Sequence, residues 1–380
     1  MTKLHRLFDE QGQSPWLDNL TRTSLHDGTL ARFVDQGIRG ITANPTIFAK
    51  AIEASDAYDD QFASLTARGR SVVDAYWDLV IDDLRHALAL LRPVFDASGG
   101  LDGFVSIEVA PELARDTSGT AIAARELHAR IDRPNVLVKI PATPEGIPAI
   151  QAMTAEGRSI NITLIFSLQR YAAVIDAYLS GLEQYASAGG DLAGVHSVAS
   201  FFVSRVDSEV DRRLEAIATP EALALRGRAA VAQAKLAYQL FRDRFSDQRW
   251  AALEASGARL QRPLWASTST KNPAYPDTLY VDNLIGRDTI NTLPETTITT
   301  FEDHGTVART IDRDIDDASA VLDGLARVGI DLADVGRTLE DQGVAGFHDS
   351  FSHVLETLTT KARHLTAPVR IGRSVEKGSA

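Results

Sequence analysis

Short apolar segments alternate along the chain with longer segments whose apolar residues recur at helical spacing. Consecutive side chains of a strand point to opposite faces, whereas those of a helix return to the same face after about 3.6 residues. Eight segments fit strands, of which the last is the weakest, and residues 288–294 are a rival for its place. The predicted strands are residues 15–19, 38–44, 103–110, 135–141, 159–166, 196–203, 262–268 and 278–286.

Helical patterns fill the intervals between these strands. Ser71 and Asp74 resemble a capping box at one helix start, and Ser167 is placed to cap the helix after the fifth strand. The predicted helices are residues 27–36, 71–91, a helix through 171–178, 221–245, 308–326 and 349–364. Alternating strands and helices are typical of parallel pairing. Roughly eight strands favour an α/β fold, the (β/α)₈ TIM barrel, and an open doubly wound sheet is the alternative.

No Pro- or Ser-rich linker divides the chain, so we predict one domain over residues 1–380. Helical additions to the barrel are expected at about residues 45–70 and in the C-terminal part, 308–366. The last residues, 372–380, are expected to form a flexible, solvated tail.

Several predicted strands have one wholly apolar face and an opposite face with a polar residue near the C-terminal end. The polar residues that share this position are Asp18, Asn44, Glu108, Lys139, Asn161, Thr163 and Ser267. The outer face of a barrel packs on helices, while the inner face opens to the active site at the C-terminal ends of the strands. We therefore expect these side chains to point into the mouth of the barrel. The alternative for any one of them is a structural polar group satisfied by a loop.

Lys139 interrupts the apolar run NVLVKIP, residues 135–141. Lysine is rarely buried unless its charge is compensated. Desolvation between apolar walls favours a neutral lysine amine, which can attack a ketone to form a Schiff base. If the strands pair in chain order, Glu108 and Thr163 lie on the two flanking strands and can transfer the protons that this step requires. Asp18 is a candidate second base, and a purely structural role for Lys139 is the alternative.

Two further segments offer hydroxyl and basic side chains at strand ends, SFFVSRVD (200–207) and ASTSTKNP (266–273). Such a cluster can bind a phosphate group. Alternatively, the arginine pairs with Asp207 or Asp211 on a helix surface. The candidate residues are Ser200, Arg205, Ser267, Ser269 and Lys271.

Composition narrows the classes of partner and cofactor. The 380 residues carry a net charge of -12, which disfavours nucleic acid or an anionic membrane as partner. The chain has no cysteine, and its nine histidines show no metal-ligand spacing, so we expect no metal site. No apolar run is long enough to span a membrane, and the start of the chain lacks the apolar core of a signal peptide. We therefore expect a cytoplasmic protein.

Five segments, taken together, resemble motifs of the transaldolase family and occur in the family's order over roughly residues 15–290. They are similar to the family's Asn-Pro motif, its glutamate strand, its Schiff-base lysine strand, its Asn-x-Thr strand and its Ser-x-Phe-x-x-Arg segment. The segments are ITANPTIF, VSIEVAP, VLVKIPATPEG, INITLIFS and VASFFVSRVD. The insertions and C-terminal helices are most similar to the longer bacterial transaldolases, a type also found fused to glucose-6-phosphate isomerase.

The resemblance implies a transferase of the non-oxidative pentose phosphate pathway with neither a metal nor an organic cofactor. The family moves a dihydroxyacetone unit from sedoheptulose 7-phosphate to glyceraldehyde 3-phosphate, giving erythrose 4-phosphate and fructose 6-phosphate. The resemblance implies Lys139 as the Schiff-base nucleophile, Glu108 and Thr163 on the catalytic water, and Asp18 as the base at the C4 hydroxyl. It also implies that Asn44 and Asn161 hold the hydroxyls of the dihydroxyacetone unit, with Ser200 beside them, and that Arg205 binds phosphate.

One departure from the family pattern concerns the phosphate end. Many relatives have Ser-Phe-Arg after the seventh strand, whereas this chain has Ser267-Thr268-Ser269, with no arginine. We expect Ser267 to take the place of the family's serine and Lys271 to supply the positive charge of the missing arginine. A lysine ammonium is a point charge and cannot form the paired hydrogen bonds of a guanidinium.

Two alternatives to a transaldolase remain open on the sequence. The first is another class I aldolase that acts on a phosphorylated sugar, and the second is a catalytically inactive phosphosugar-binding barrel. The expected ligands are sugar phosphates in each case, and the expected state is a monomer or a homodimer.

Overall fold

Eight parallel strands form a closed barrel in the computed structural model, which describes residues 1–366. Each strand pairs with the next along the chain, and β8 pairs with β1. The predicted (β/α)₈ barrel is therefore confirmed, and the alternative of an open doubly wound sheet is wrong. The predicted tail, 372–380, lies outside the described residues. The strands are β1 Gln13–Leu17, β2 Gly40–Thr42, β3 Phe104–Glu108, β4 Val136–Pro141, β5 Ile160–Ile165, β6 Ser197–Phe202, β7 Gln261–Ala266 and β8 Thr289–Leu293.

Helices follow the strands and cover the outer face of the barrel. Within residues 1–366 they are α1 Lys3–Gln11, α2 Arg22–His26, α3 Thr29–Asp35, α4 Pro45–Glu53, α5 Asp59–Ala67, α6 Val72–Ala97, α7 Thr117–Ile131, α8 Gly146–Ala155, α9 Leu168–Ser187, α10 Ser204–Ile217, α11 Pro220–Leu223, α12 Ala229–Arg244, α13 Gln248–Ala255, α14 Leu279–Asn283, α15 Glu295–His304, α16 Ile315–Arg327 and α17 Leu332–Thr366. The predicted caps are present, since Ser71 accepts from the backbone N–H of Asp74 and Ser167 from that of Arg170. None of these helices is both long and apolar enough to cross a membrane.

The eighth strand is the rival segment 288–294, and the prediction of a strand at 278–286 is wrong. Thr289–Leu293 pairs with β7 and with β1. Residues 278–286 contain α14 instead. Four buried apolar residues made this segment resemble a strand, because so short an apolar run fits a buried helix as well as a buried strand. These buried residues are Tyr280, Val281, Leu284 and Ile285.

Three helical predictions also need correction. The predicted helix 221–245 is two helices, α11 and α12, because the chain turns at Gly227, whose φ is +69°. The predicted helix 308–326 begins only at Ile315. The predicted helix 349–364 is the C-terminal half of the much longer α17.

Helix α17 lies over the C-terminal end of the barrel, against α4 and β5. Its Gly343 permits this close approach, because a Cβ atom there would lie 2.8 Å from the Leu164 side chain. Leu164 has φ +58° at a register shift in β5, directly after Thr163. Thr46 of α4 and Ser350 of α17 share a hydroxyl hydrogen bond of 2.7 Å. Helices α4 and α17 thus pack against each other above the ends of the strands.

A buried charge network closes the opposite end of the barrel. The Asp102 carboxylate lies 2.7 Å from Arg39 and 3.1 Å from Arg262, and it accepts hydrogen bonds from Ser14 and Trp16. A buried carboxylate with two guanidinium partners and two further donors is well satisfied. This end is therefore a packed floor, and access to the interior is from the C-terminal end of the strands.

Candidate active site

The polar residues predicted from the strands converge inside the C-terminal end of the barrel. The register places Glu108 beside Lys139, and Lys139 beside Asn161. A cavity of about 300 Å³ opens above them. Of the predicted site residues, it is lined by Asp18, Asn44, Lys139, Thr163, Ser200, Arg205, Ser267, Ser269 and Lys271. Glu108 and Asn161 are buried beneath this lining.

Lys139 is only 5% exposed and lies next to a buried carboxylate. Its Nζ is 3.3 Å from Glu108 Oε2 and donates a hydrogen bond of 3.2 Å to the carbonyl oxygen of Ala43. Within the described residues, Glu108 Oε2 and Thr163 Oγ1 are buried without a hydrogen-bond partner of good geometry. Buried oxygens are normally partnered, and exceptions are frequent where a substrate or water is bound. Lys139 therefore has one such oxygen, that of Glu108, beside it, and Thr163 offers a second in the lining of the same cavity.

Burial shifts the two carboxyl groups of the site in the same direction. It raises the pKa of Glu108, and the nearby positive charges of Lys139 and Arg205 offset this only in part. Burial likewise raises the pKa of Asp18, although the hydroxyl of Thr42 donates to it at 2.8 Å and Lys139 lies nearby. A carboxylate with a raised pKa is a stronger base. Both groups are therefore suited to accept protons.

A chain of hydrogen bonds crosses the interior below the cavity. Asn161 donates to the hydroxyl of Ser106 at 3.0 Å, and Ser200 donates to Asn161 Oδ1 at 2.7 Å. Asn161 thereby orients Ser200, which lines the cavity. Asn44 uses its Oδ1 to cap α4 by accepting from the backbone N–H of Ile47 at 3.0 Å. Its amide NH₂ has no hydrogen-bond acceptor among residues 1–366, so it can donate to a ligand.

Arg205 and Lys271 face the cavity from the ends of β6 and β7. Among the described residues, no carboxylate lies within ion-pair distance of Arg205, so the alternative pairing with Asp207 or Asp211 is wrong. The guanidinium carbon lies 5.2 Å from the centre of the Phe202 ring. Lys271 Nζ donates to Ser269 at 2.7 Å.

The two aspartates bind the loop that carries Lys271. The hydroxyl of Tyr275 donates to Asp211 at 2.6 Å, and that of Tyr280 donates to Asp207 at 2.9 Å. Burial raises the pKa of Asp207 to about 6. Both aspartates are on α10, the helix of Arg205. The segment from β7 to α14 is therefore fixed against the helix that carries the other cation.

A sequence model described as Transaldolase/Fructose-6-phosphate aldolase matches residues 15–358. The chain belongs to this family. A protein named Transaldolase from Thermobifida fusca (strain YX) is 52% identical over 351 residues, which are 92% of this chain and 95% of the relative. Similar proteins are Transaldolase from Mycolicibacterium smegmatis, 51% identical over 91% of this chain and 94% of its own length, and Transaldolase 1 from Streptomyces avermitilis, 49% identical over 95% and 96%. The family predicted from the five motifs is confirmed.

The site of this transaldolase-family chain includes residues that the sequence did not indicate. Thr292 follows from the correct eighth strand, and Phe202 adjoins the predicted Ser200. Lys50 and Phe347 gave no signal, since they lie on helices whose inner face depends on packing. The additional lining residues are Thr42, Thr46, Ile47, Lys50, Phe202, Ala266, Thr292, Pro294 and Phe347. Residues 1–366 contain no group of three or more histidine, aspartate and glutamate side chains that could hold a metal ion.

Proposed function

We propose that this protein is a transaldolase that transfers a dihydroxyacetone unit through a Schiff base on Lys139. Sedoheptulose 7-phosphate would be the donor and glyceraldehyde 3-phosphate the acceptor, as in the non-oxidative pentose phosphate pathway. The observation that carries the proposal is the buried pair of Lys139 and Glu108, 3.3 Å apart, at a cavity that Arg205 and Lys271 also line. The relatives named Transaldolase, which match more than nine-tenths of the chain, support it.

The first half of the reaction joins the lysine to the ketose. Lys139 first gives its ammonium proton to a base, for which Glu108 lies 3.3 Å away. The neutral amine then attacks C2, and the C2 oxygen takes up a proton to give a carbinolamine. Loss of that oxygen as water leaves an iminium ion, which needs a proton to be delivered to the departing hydroxyl. Glu108 and Thr163 are the groups beside the nitrogen that can relay this proton, directly or through one water.

The second half breaks and remakes a carbon–carbon bond. Asp18 accepts the proton of the C4 hydroxyl, the C3–C4 bond breaks, and its electron pair moves into the iminium to give an enamine. The aldehyde product leaves, and C3 of the enamine attacks the carbonyl carbon of the acceptor, whose oxygen recovers the proton from Asp18. Water then hydrolyses the new iminium and frees Lys139. The raised pKa of Asp18 suits a group that must accept and return a proton.

Substrate binding is assigned to the remaining predicted residues. We propose that Asn44 and Ser200, which line the cavity, contact the hydroxyls of the dihydroxyacetone unit. Asn161 is not part of the lining, so its role as a direct ligand stays a prediction, and its bond to Ser200 is the contact on which it rests. The phosphate group of the substrate is assigned to four other residues that line the cavity. These residues are Arg205, Ser267, Ser269 and Lys271.

A cytoplasmic location and a monomeric or homodimeric state complete the proposal. The lack of cysteine fits a reducing compartment.

A comparison of transfer with simple cleavage tests the function. The protein is incubated with fructose 6-phosphate, with and without erythrose 4-phosphate, and glyceraldehyde 3-phosphate is measured against enzyme concentration. A transaldolase releases no more than one equivalent per active site without acceptor and turns over continuously when erythrose 4-phosphate is added. Continuous release without acceptor would show an aldolase. No release in either case would show a phosphosugar-binding barrel without catalysis. Lys139→Met is the inactive control.

A further inference from the structure

Helix α4 follows β2 and carries a lysine, Lys50, that lines the cavity, whereas Arg205 follows β6, which lies four positions away in the closed ring of eight strands. Asn44 caps this helix, and Thr46, Ile47 and Lys50 also line the cavity. Residues three and four apart share a helix face, so these three residues form one inward stripe. Six residues of helix separate Lys50 from Asn44, a rise of about 9 Å. Lys50 thus lies well away from the Asn44 end of the cavity.

The three cations at the outer part of the cavity have no carboxylate partner. Within residues 1–366, Lys50, Arg205 and Lys271 form no ion pair, whereas many arginines of the chain do. Burial lowers the pKa of Lys271, and the positive charges of Arg205 and Lys50 lower it further, which the Asp18 carboxylate offsets in part. The cations are therefore close enough to repel one another. A cluster of like charges is unfavourable unless a ligand of opposite charge is bound.

Lys50 has no other structural task among the described contacts. The side-chain hydrogen bonds between α4 and α17 come from Thr46, which bonds to Ser350, and from Lys361 of α17, which reaches the carbonyl oxygen of Ile52. Lys361 also binds the carboxylate of Asp59 in α5. The Lys50 side chain is exposed toward the cavity, so its ammonium is free to meet a ligand.

We propose that Lys50 contacts the phosphate group of the substrate and determines the preference for phosphorylated sugars, together with Arg205 and Lys271. A phosphate monoester carries a charge of about −1.5 to −2 at neutral pH and has three acceptor oxygens. Arg205 is the one guanidinium in the lining described, and each lysine adds a single point charge. A second lysine on the opposite wall would enclose the phosphate from both sides. This inference rests on the proposed function, since it deepens the assignment of the same site.

Lys50→Gln tests the inference through the difference between phosphorylated and unphosphorylated donors. With erythrose 4-phosphate fixed at saturation, we expect the KM for fructose 6-phosphate to rise roughly tenfold, because a partly exposed charged hydrogen bond is lost. The kcat should change by less than about twofold, and so should kcat/KM for fructose, which has no phosphate to contact. Lys50→Arg should restore the KM to within about threefold of the parent, since the charge is retained.

Arg68→Gln is the matched control, because Arg68 is exposed, carries the same charge and does not line this cavity. It should leave the KM for fructose 6-phosphate unchanged, which excludes an effect of net charge alone. An unchanged KM in Lys50→Gln would overturn the inference, and so would an equal loss with fructose and fructose 6-phosphate. Failure of the parent protein to turn over fructose 6-phosphate would instead reject the proposed function.

Discussion

At the scale of single residues, the proposed chemistry depends on three ionisable side chains that share one small volume. Glu108 lies 3.3 Å from the Lys139 amine, and Asp18 faces the same cavity from β1. Burial raises the pKa of both acids, while the lysine stabilises their ionised forms. Proton transfer between such groups needs little rearrangement, because the donors and acceptors are already in place.

Replacing Glu108 with glutamine should slow Schiff-base formation far more than it weakens substrate binding. The amide keeps the shape of the side chain but cannot accept a proton, and a positioned acid–base group contributes roughly 10²- to 10⁴-fold to a rate. We expect rapid-quench trapping with fructose 6-phosphate to show adduct formation at least about 100-fold slower. Glu112→Gln, at an exposed position just after the same strand, is the control. Equal rates in Glu108→Gln and the parent would remove the proton-transfer role.

The ionised Asp18 carboxylate should lower the free energy of unfolding at neutral pH, although the proposed reaction needs this group as a base. Its pKa is raised in the folded state, so the protonated form favours folding. This stabilisation is fully present below the unfolded-state pKa of about 3.9 and is lost as the pH rises through the folded-state value. Asp18→Asn has no such charge and should therefore melt about 1–3 °C above the parent at pH 8. The difference should shrink as the pH falls toward 4.

Calorimetry from pH 4 to pH 8 measures this effect, and the exposed Asp9→Asn provides the control. An Asp18→Asn protein that melts below the parent at pH 8 would contradict the argument from burial. The same variant should lose at least about 100-fold in transfer rate, since the carbon–carbon step lacks its base.

At the scale of elements, the segment between β7 and α14 is a loop held by a helix. Its Tyr275 donates to Asp211 of α10, and Ser267 lies 2.9 Å from Ser204 at the start of the same helix. Lys271 lies between these two anchors in sequence. Helix α10 thus holds both sides of the loop from which Lys271 extends.

Tyr275→Phe should weaken phosphate binding without affecting carbon–carbon chemistry. The variant loses one hydrogen bond to a carboxylate and keeps the ring, so the KM for fructose 6-phosphate should rise roughly fivefold at nearly constant kcat. Tyr178→Phe is the matched control, since its hydroxyl donates at 2.8 Å to the backbone carbonyl oxygen of Arg259, before the start of β7. Steady-state kinetics of both variants check the prediction. Equal KM values in the two would show that the anchor does not position Lys271.

The inward faces of the strands could be predicted from the sequence, because the alternation of a strand leaves no choice once one face is apolar. Glu108, Lys139 and Thr163 follow from this rule alone. The segment 278–286 could not be assigned correctly in this way, since a short buried helix and a buried strand are both apolar. The split at Gly227 is a turn inside a continuous helical pattern, so the pattern extended across it.

At the scale of the whole molecule, the cavity is assembled from distant parts of the chain. Asp18, Lys50, Lys271 and Phe347 meet there, although more than 300 residues separate the first from the last. No local sequence pattern indicates which face of α4 or α17 lies against the barrel, because the packing of each helix on the rest of the fold determines its orientation. The sequence could therefore predict most of the polar residues that line the cavity from the ends of the strands, but not those contributed by α4 and α17.

Helix α17 should unfold together with the barrel, as expected of the predicted single domain. Phe351 is 4% exposed and packs edge-on against Tyr76 of α6, with ring centres 5.2 Å apart. Phe351→Ala should lower the free energy of unfolding by about 3–5 kcal/mol. We expect circular dichroism and tryptophan fluorescence to move together to lower denaturant concentration.

Val73→Ala, at an exposed position of the same helix α6, should cost less than about 0.5 kcal/mol. Separate transitions for the two probes, with only one moved by Phe351→Ala, would show that α17 is an independent unit.

Borohydride trapping tests the central claim most directly. The protein is incubated with fructose 6-phosphate, reduced, digested and mapped by mass spectrometry. Formation of the covalent adduct at Lys139 predicts a dihydroxyacetone-derived mass on the peptide that contains this residue, and its loss in Lys139→Met. A stable adduct on Lys50 or Lys271 instead, or no adduct on any lysine, would contradict the account.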